Sequence, residues 1–100
     1  MQILKPYRES IDAVDRQLID LFIERFGIIA EVGHLKAREG IEAVLQDRVD
    51  EVRNNAVDMA GEHIDSDFIY KLWTDIIKYS CDLEEDIKAD YRQSGKKVKA

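Results

Sequence analysis

Basic side chains recur on one face of a predicted helix near the start of this sequence. When residues 8–36 are read as heptads from Arg8, four charged residues fall at a and d positions, where the apolar period predicts burial. These positions hold Arg8, Ile11, Asp15, Leu18, Phe22, Arg25, Ile29, Val32 and Lys36. Because Arg and Lys are rarely buried without a partner, the pattern predicts that an anionic group lies against the three cations.

Two later segments add polar residues to the same predicted site. Arg48 lies next to Val49, on the apolar stripe of a second predicted helix. In a third predicted helix, the core row that includes Ile76 continues to Ser80 and Glu84 at i, i+4 spacing. A guanidinium pairs with a carboxylate through two parallel hydrogen bonds, so these residues predict a small ligand with two negative groups.

The spacing of the cations predicts a site shared between two chains. Arg25 and Lys36 are 11 residues apart, and about 16 Å of rise with about 20° of rotation lets both side chains lean over one ligand. Arg8 lies about 25 Å from Arg25 along the same helix and cannot easily reach that ligand. In an antiparallel homodimer, Arg8 of the partner subunit would come into range. We therefore expect two equivalent sites per dimer.

The residue types at this site favour catalysis by positioning. The sequence shows no nucleophile–base pair, no plausible metal cluster and no glycine-rich phosphate loop, so we expect no metal and no other cofactor. Positioning and electrostatics would then supply the rate. Such a site suits a pericyclic reaction of a small dianion, in which one conformer is held and charge builds up on a breaking C–O bond.

Three helices would have to position these side chains. The first spans about 43 Å over residues 8–36 alone, whereas a compact 100-residue domain has a radius of gyration of about 13 Å. A helix of that length would protrude and expose apolar residues, so we predict an all-α fold in an obligate two-fold homodimer. The expected helices run from about Pro6 to Arg38, from about Val44 to Ala60, and from Asp65 or Ser66 to about Arg92.

Composition limits the class of protein. With 45% hydrophobic and 36% charged residues, the 100-residue chain is typical of a soluble helical domain, which we place at residues 1–93 with a basic, disordered tail at 94–100. The net charge of −6 argues against nucleic-acid binding. No apolar run is long enough to span a membrane, the N-terminus does not read as a signal peptide, and one cysteine allows no disulfide framework. We expect a cytoplasmic protein.

Over roughly residues 4–90, the order and spacing of several short motifs resemble a known family, the all-helical (AroQ-class) chorismate mutases. The matching motifs are R-E-x-I-D-x-x-D at Arg8 to Asp15, E-R at Glu24–Arg25, E-V-G-x-x-K at Glu31 to Lys36, D-R at Asp47–Arg48 and I-I-x-x-S-x-x-x-E at Ile76 to Glu84. The resemblance implies an intertwined homodimer with three helices per chain. It also implies an isomerase of the shikimate pathway, which rearranges chorismate to prephenate for aromatic amino acid biosynthesis.

The resemblance also implies a role for each site residue. Arg25, Arg48 and Arg8 of the partner subunit would hold the two carboxylates of chorismate, with help from Ser80. Lys36 would donate to the ether oxygen that becomes anionic, and Glu84 would donate from the opposite side. Since Glu84 must be protonated to donate, we expect kcat/KM to fall as pH rises.

Two positions depart from the family pattern and leave alternatives open. Leu45 and Val49 stand where many members have an Asp and a Glu near the ring hydroxyl of the substrate. The D-R-V at Asp47 to Val49 is similar to the E-R-V of isochorismate pyruvate lyases, although those keep a Gln at the position of Glu84. An aminodeoxychorismate mutase and an inactive helical dimer that regulates a partner enzyme are further alternatives. We favour chorismate mutase.

Simple ion pairing along the first helix is the competing interpretation of the cations. Arg25 would then pair with Asp20 or Glu24, and Lys36 with Glu31. Likewise, the hydroxyl of Ser80 would bond back to its own helix.

Overall fold

The computed structural model describes residues 1–95, and these form three α-helices and no strand. A 3-10 turn at Gln2–Leu4 leads into α1 (Lys5–Glu39), which is followed by α2 (Gln46–Ala60) and α3 (Ser66–Gln93). The predicted all-α class and the three helices are confirmed. The second helix begins two residues later than expected. Of the basic tail predicted at 94–100, residues 96–100 lie outside the described residues.

The ends of the helices follow local sequence signals. Pro6 lies in the first turn of α1, where its missing N–H breaks no hydrogen bond. Gly40 ends α1 with a φ of 70°, a conformation that glycine adopts without a Cβ clash. The N–H of Ile41 then donates to the carbonyl of Lys36 at 2.9 Å. At the start of α3, the Asp65 carboxylate accepts from the N–H of Phe68 at 3.0 Å, as expected of an N-cap.

The third helix packs against both of the others. It runs in the same direction as the C-terminal half of α1, since Arg25 contacts Ser80 while Gly33 lies against Glu84 and Ile87. A Cβ added at Gly33 would lie 3.0 Å from the Cδ1 of Ile87 and 3.3 Å from the Cα of Glu84. The glycine therefore permits close approach of the two backbones, and that approach brings Lys36 to Glu84.

The N-terminal half of α1 has no such support. Every residue from position 5 to position 21 is exposed, and the chain measures 62 × 27 × 14 Å with a radius of gyration of 17.8 Å. A stripe of apolar residues runs along α1. Its members are three or four residues apart at first and seven apart later, and each of them is at least 40% exposed. We call it the outer stripe; it comprises Leu4, Tyr7, Ile11, Val14, Leu18, Leu21, Ile28 and Leu35. A single chain thus leaves a helix-length apolar surface uncovered.

Candidate active site

Five of the six predicted site residues line one cavity between the three helices. The cavity encloses about 490 Å³, counted out to its open mouth. Its polar lining comprises Arg25, Lys36, Arg48, Ser80 and Glu84, and the thiol of Cys81 adds a weakly polar group. Arg8 does not line it. That residue lies exposed near the N-terminal end of α1, about 25 Å along the helix from Arg25.

Arg25 and Ser80 form a direct contact across α1 and α3. The guanidinium donates to the hydroxyl oxygen of Ser80 at 2.7 Å, and that hydroxyl donates to the carbonyl of Ile76 at 2.8 Å. Ser80 therefore bonds back to its own helix and also receives Arg25. Burial, and then the positive charge of Arg48, lowers the pKa of Arg25. An Arg remains charged even so, so the positive charge of Arg25 faces the cavity.

Lys36 and Glu84 form the most buried ion pair of the described chain. The ammonium nitrogen lies 2.7 Å from the Oε1 of Glu84, and the two side chains are only 14% and 6% exposed. Lys36 also donates to the carbonyl of Ala43 at 2.9 Å. The Oε1 of Glu84 receives no aligned hydrogen bond from any described residue. Desolvating both charges opposes folding, and this cost offsets much of the attraction between them.

The partners of Lys36 and Arg25 lie on α3 and not along α1. Lys36 pairs with Glu84 across the helices, and the exposed Glu31 on its own helix is not its partner. Arg25 is likewise engaged with Ser80 of α3 and not with Asp20. The two cations therefore converge from α1 on the same stretch of α3.

Arg48 enters the cavity from the first turns of α2 and is held loosely. Its guanidinium pairs with Glu51 one turn further on, and its side chain is 66% exposed. Exposed pairs of this kind contribute little free energy, typically below about 1 kcal/mol. An anionic ligand that offers two oxygens in the plane of the guanidinium can therefore displace Glu51.

The rest of the cavity wall is apolar. Ile29, Leu45, Val49, Val52 and Ile77 line it, and among the described lining residues Glu84 is the sole acid. The wall therefore offers no carboxylate to a polar ring substituent of a ligand near α2. Apolar surroundings lower the local dielectric constant, which strengthens the field of the cations.

Sequence reasoning missed two groups of the site. The first is Cys81, whose thiol lines the cavity; burial, and then the charge of Glu84, raises its pKa, so it remains a neutral thiol. Its position next to Ser80 and three residues before Glu84 was the available signal. The second is the carbonyl of Ala43, which accepts from Lys36. No periodic pattern predicts a contact made by a loop backbone atom.

The described residues give no sign of a metal centre or a membrane span. Within residues 1–95, no three His, Cys, Asp or Glu side chains cluster in a way that could hold a metal ion. No helix in that range is both long and apolar enough to cross a membrane.

With this geometry established, the family model described as "Chorismate mutase type II" matches residues 7–85. The chain belongs to the chorismate mutase type II family. The resemblance inferred from the motifs is thereby confirmed, and it covers all five cavity residues as well as Arg8.

Curated relatives of two kinds are similar to this chorismate mutase type II chain. The T-protein of Haemophilus influenzae is 38% identical over 48 residues, which are 48% of this chain and 13% of that protein. The 4-amino-4-deoxychorismate mutase of Streptomyces venezuelae is 29% identical over 82% of this chain and 81% of its own length. Its namesake from Streptomyces pristinaespiralis is 31% identical over 83% of this chain and 65% of its own. The chain thus spans about an eighth of the T-protein that it matches.

Proposed function

We propose that the chain is a chorismate mutase, an isomerase that converts chorismate to prephenate for aromatic amino acid biosynthesis. The observation that carries the proposal is the convergence of Arg25 and Lys36 on a partly enclosed cavity, with the buried Glu84 beside the ammonium. Such a site binds a dianion and can stabilise negative charge that appears during the reaction. Family membership supports the same conclusion.

Binding would begin with the carboxylates of the substrate. Arg25 and Arg48 face the cavity together, and their mutual repulsion is relieved when an anion lies between them. Arg48 exchanges its exposed contact with Glu51 for a carboxylate, and Ser80 keeps Arg25 in place. Fixing both carboxylates selects the compact conformer in which the reacting carbon atoms meet.

Chemistry would then occur beside Lys36. In this intramolecular rearrangement one C–O bond breaks as one C–C bond forms, and no proton is gained or lost overall. Negative charge develops on the ether oxygen, and the ammonium of Lys36 donates to it in surroundings that exclude bulk water. Glu84 would donate to the same oxygen from the other side.

We further propose that two chains form the functional unit. The outer stripe has the alternating spacing of a helix seam, and its residues are exposed in one chain. A second copy packed on it would be related by two-fold symmetry. Arg8, exposed beyond the packed half of α1, would then reach the cavity of the other chain and bind a carboxylate there. Because the two chains are equivalent, such a dimer would have two of these sites.

The test is a chorismate assay with purified protein near pH 6. Loss of ultraviolet absorbance should accompany the appearance of prephenate on chromatography. Arg25→Ala should abolish turnover, whereas the matched control Arg92→Ala should not, since Arg92 is exposed and does not line the cavity. Absence of prephenate with a folded wild-type protein would overturn the proposal.

A second candidate is an aminodeoxychorismate mutase. Two relatives that align over most of this chain carry that name. Leu45 and Val49 also give the cavity an apolar wall near α2. Parallel assays with 4-amino-4-deoxychorismate decide between the two substrates through kcat/KM. Isochorismate is assayed in the same series, because release of pyruvate would identify a lyase. If none of the three substrates is turned over, the remaining alternative is an inactive helical dimer that regulates a partner enzyme.

A further inference from the structure

The loop between α1 and α2, residues 40–45, forms one side of the cavity. Ala43 is 3% exposed, and both Ala43 and Leu45 line the cavity. Leu45 is also the N-cap of α2, yet no side chain caps this helix. Instead the carbonyl of Leu45 accepts from the N–H groups of Arg48 and Val49, at 3.0 and 3.1 Å. The position of Arg48 therefore depends directly on where the loop lies.

Two lysines, one on α1 and one on α3, donate hydrogen bonds to this loop. Lys36 of α1 donates to the carbonyl of Ala43 at 2.9 Å, and Lys88 of α3 donates to the carbonyl of Ile41 at 2.6 Å. Lys88 lies one turn after Glu84 on the same side of α3. An ammonium-to-carbonyl hydrogen bond is charge-assisted and stronger than a neutral one. The loop is thus anchored at two points, two residues apart.

The two anchors differ in what else they must do. Lys36 also faces Glu84 and the cavity, so a ligand that recruits its ammonium competes with the carbonyl of Ala43. Lys88 does not line the cavity and has no such competitor there. When the site is occupied, Lys88 is the anchor that remains.

We infer that Lys88 is a positioning residue for this site: by clamping the carbonyl of Ile41 it keeps the loop, Leu45 and Arg48 in place while Lys36 engages the ligand. The expected effect of Lys88 on turnover rests on the proposed function. The expected effect of Lys88 on the mobility of the loop rests on the loop contacts alone. Since Lys88 acts on ligand binding through Arg48 and not on the breaking bond, its loss should raise KM and leave kcat nearly unchanged.

The test combines hydrogen exchange with steady-state kinetics on Lys88→Met, a variant that keeps side-chain length and helix propensity. Loss of a hydrogen bond from a charged donor predicts about tenfold faster exchange in the peptide that contains Ile41, Arg48 and Val49, and about a tenfold higher KM with kcat within about twofold. Lys88→Arg should restore both values. Should Lys88→Met fail to fold by circular dichroism, Lys88→Gln replaces it with the same expectations.

The matched control is Lys78→Met, which removes the same charge from the same helix. Lys78 pairs with Asp82 at 2.7 Å on an exposed face, and its side chain is 73% exposed. Its exchange and KM should match those of the wild type. An equal rise in KM in both lysine variants, or unchanged exchange in Lys88→Met, would overturn the clamp. Exchange is measured without substrate, so failure to turn over chorismate would refute the proposed function while this experiment still decided the role of Lys88.

Discussion

The two halves of α1 share one sequence pattern but differ in burial. Both halves alternate apolar and charged residues at the spacing of a packed helix. In the C-terminal half, Phe22, Ile29 and Lys36 are partly buried against α3, whereas in the N-terminal half Ile11, Asp15 and Leu18 are all exposed. The difference teaches that heptad spacing identifies a contact face without saying which chain supplies the contact.

The charged residues of the two halves differ in the same way. Lys36 and Arg25 have partners on α3, which hold them at the cavity. Arg8 belongs to the same predicted seam, but it is exposed and does not line the cavity of its own chain. If the packed half is a catalytic surface and the exposed half is a dimer surface, substitutions in each should have different consequences.

The largest effect is expected in the packed half. Lys36→Met removes the donor proposed for the ether oxygen, and loss of one such donor lowers kcat by about 10²- to 10³-fold. Because this substitution also leaves Glu84 buried without a cation, the double variant Lys36→Met/Glu84→Gln serves as the folding control. A kcat within tenfold of the wild type in the folded single variant would contradict the role of Lys36.

The exposed half is tested by mixing two inactive variants. Arg8→Ala and Arg25→Ala should each lose most activity, yet a dimer with one chain of each retains one intact site. If subunits exchange at random, about a quarter of wild-type activity should return, because half of the dimers are mixed and each has one working site of two. Recovery is followed by chorismate turnover after mixing. Lack of recovery, with subunit exchange shown by mass spectrometry, would place Arg8 outside the shared site.

The smallest effect compares two glycines of α1. Gly33→Ala places a Cβ 3.0 Å from Ile87, whereas at Gly27 nothing lies within 4 Å in the single chain. The free-energy cost of overpacking at Gly33 should exceed the gain in helix propensity, so Gly33→Ala should destabilise the protein by about 1 kcal/mol. Gly27→Ala should stabilise it by about 1 kcal/mol or slightly less. Urea unfolding measures both, and destabilisation by Gly27→Ala would indicate that a second chain approaches α1 there.

Local signals in the sequence determined the helices and most of the cavity residues. Proline in a first turn, an Asp N-cap and glycines after helix ends all act within a few residues, so the three helices could be predicted to within about two residues. Helical periodicity is equally local, and for that reason Arg25, Lys36, Ser80 and Glu84 could be assigned to inward faces before their partners were known.

Only the tertiary structure decided how those residues pair. Pairing along α1 would have joined Lys36 to Glu31, but the close approach of α1 and α3 at Gly33 brings Glu84 to 2.7 Å. Lys88 lies 47 positions from Ile41, and Lys36 lies seven positions from Ala43. Both carbonyl contacts are made to a loop, and a loop has no periodic pattern that could predict them. Periodicity specifies the direction in which a side chain points, whereas the distance between two side chains depends on how the helices pack.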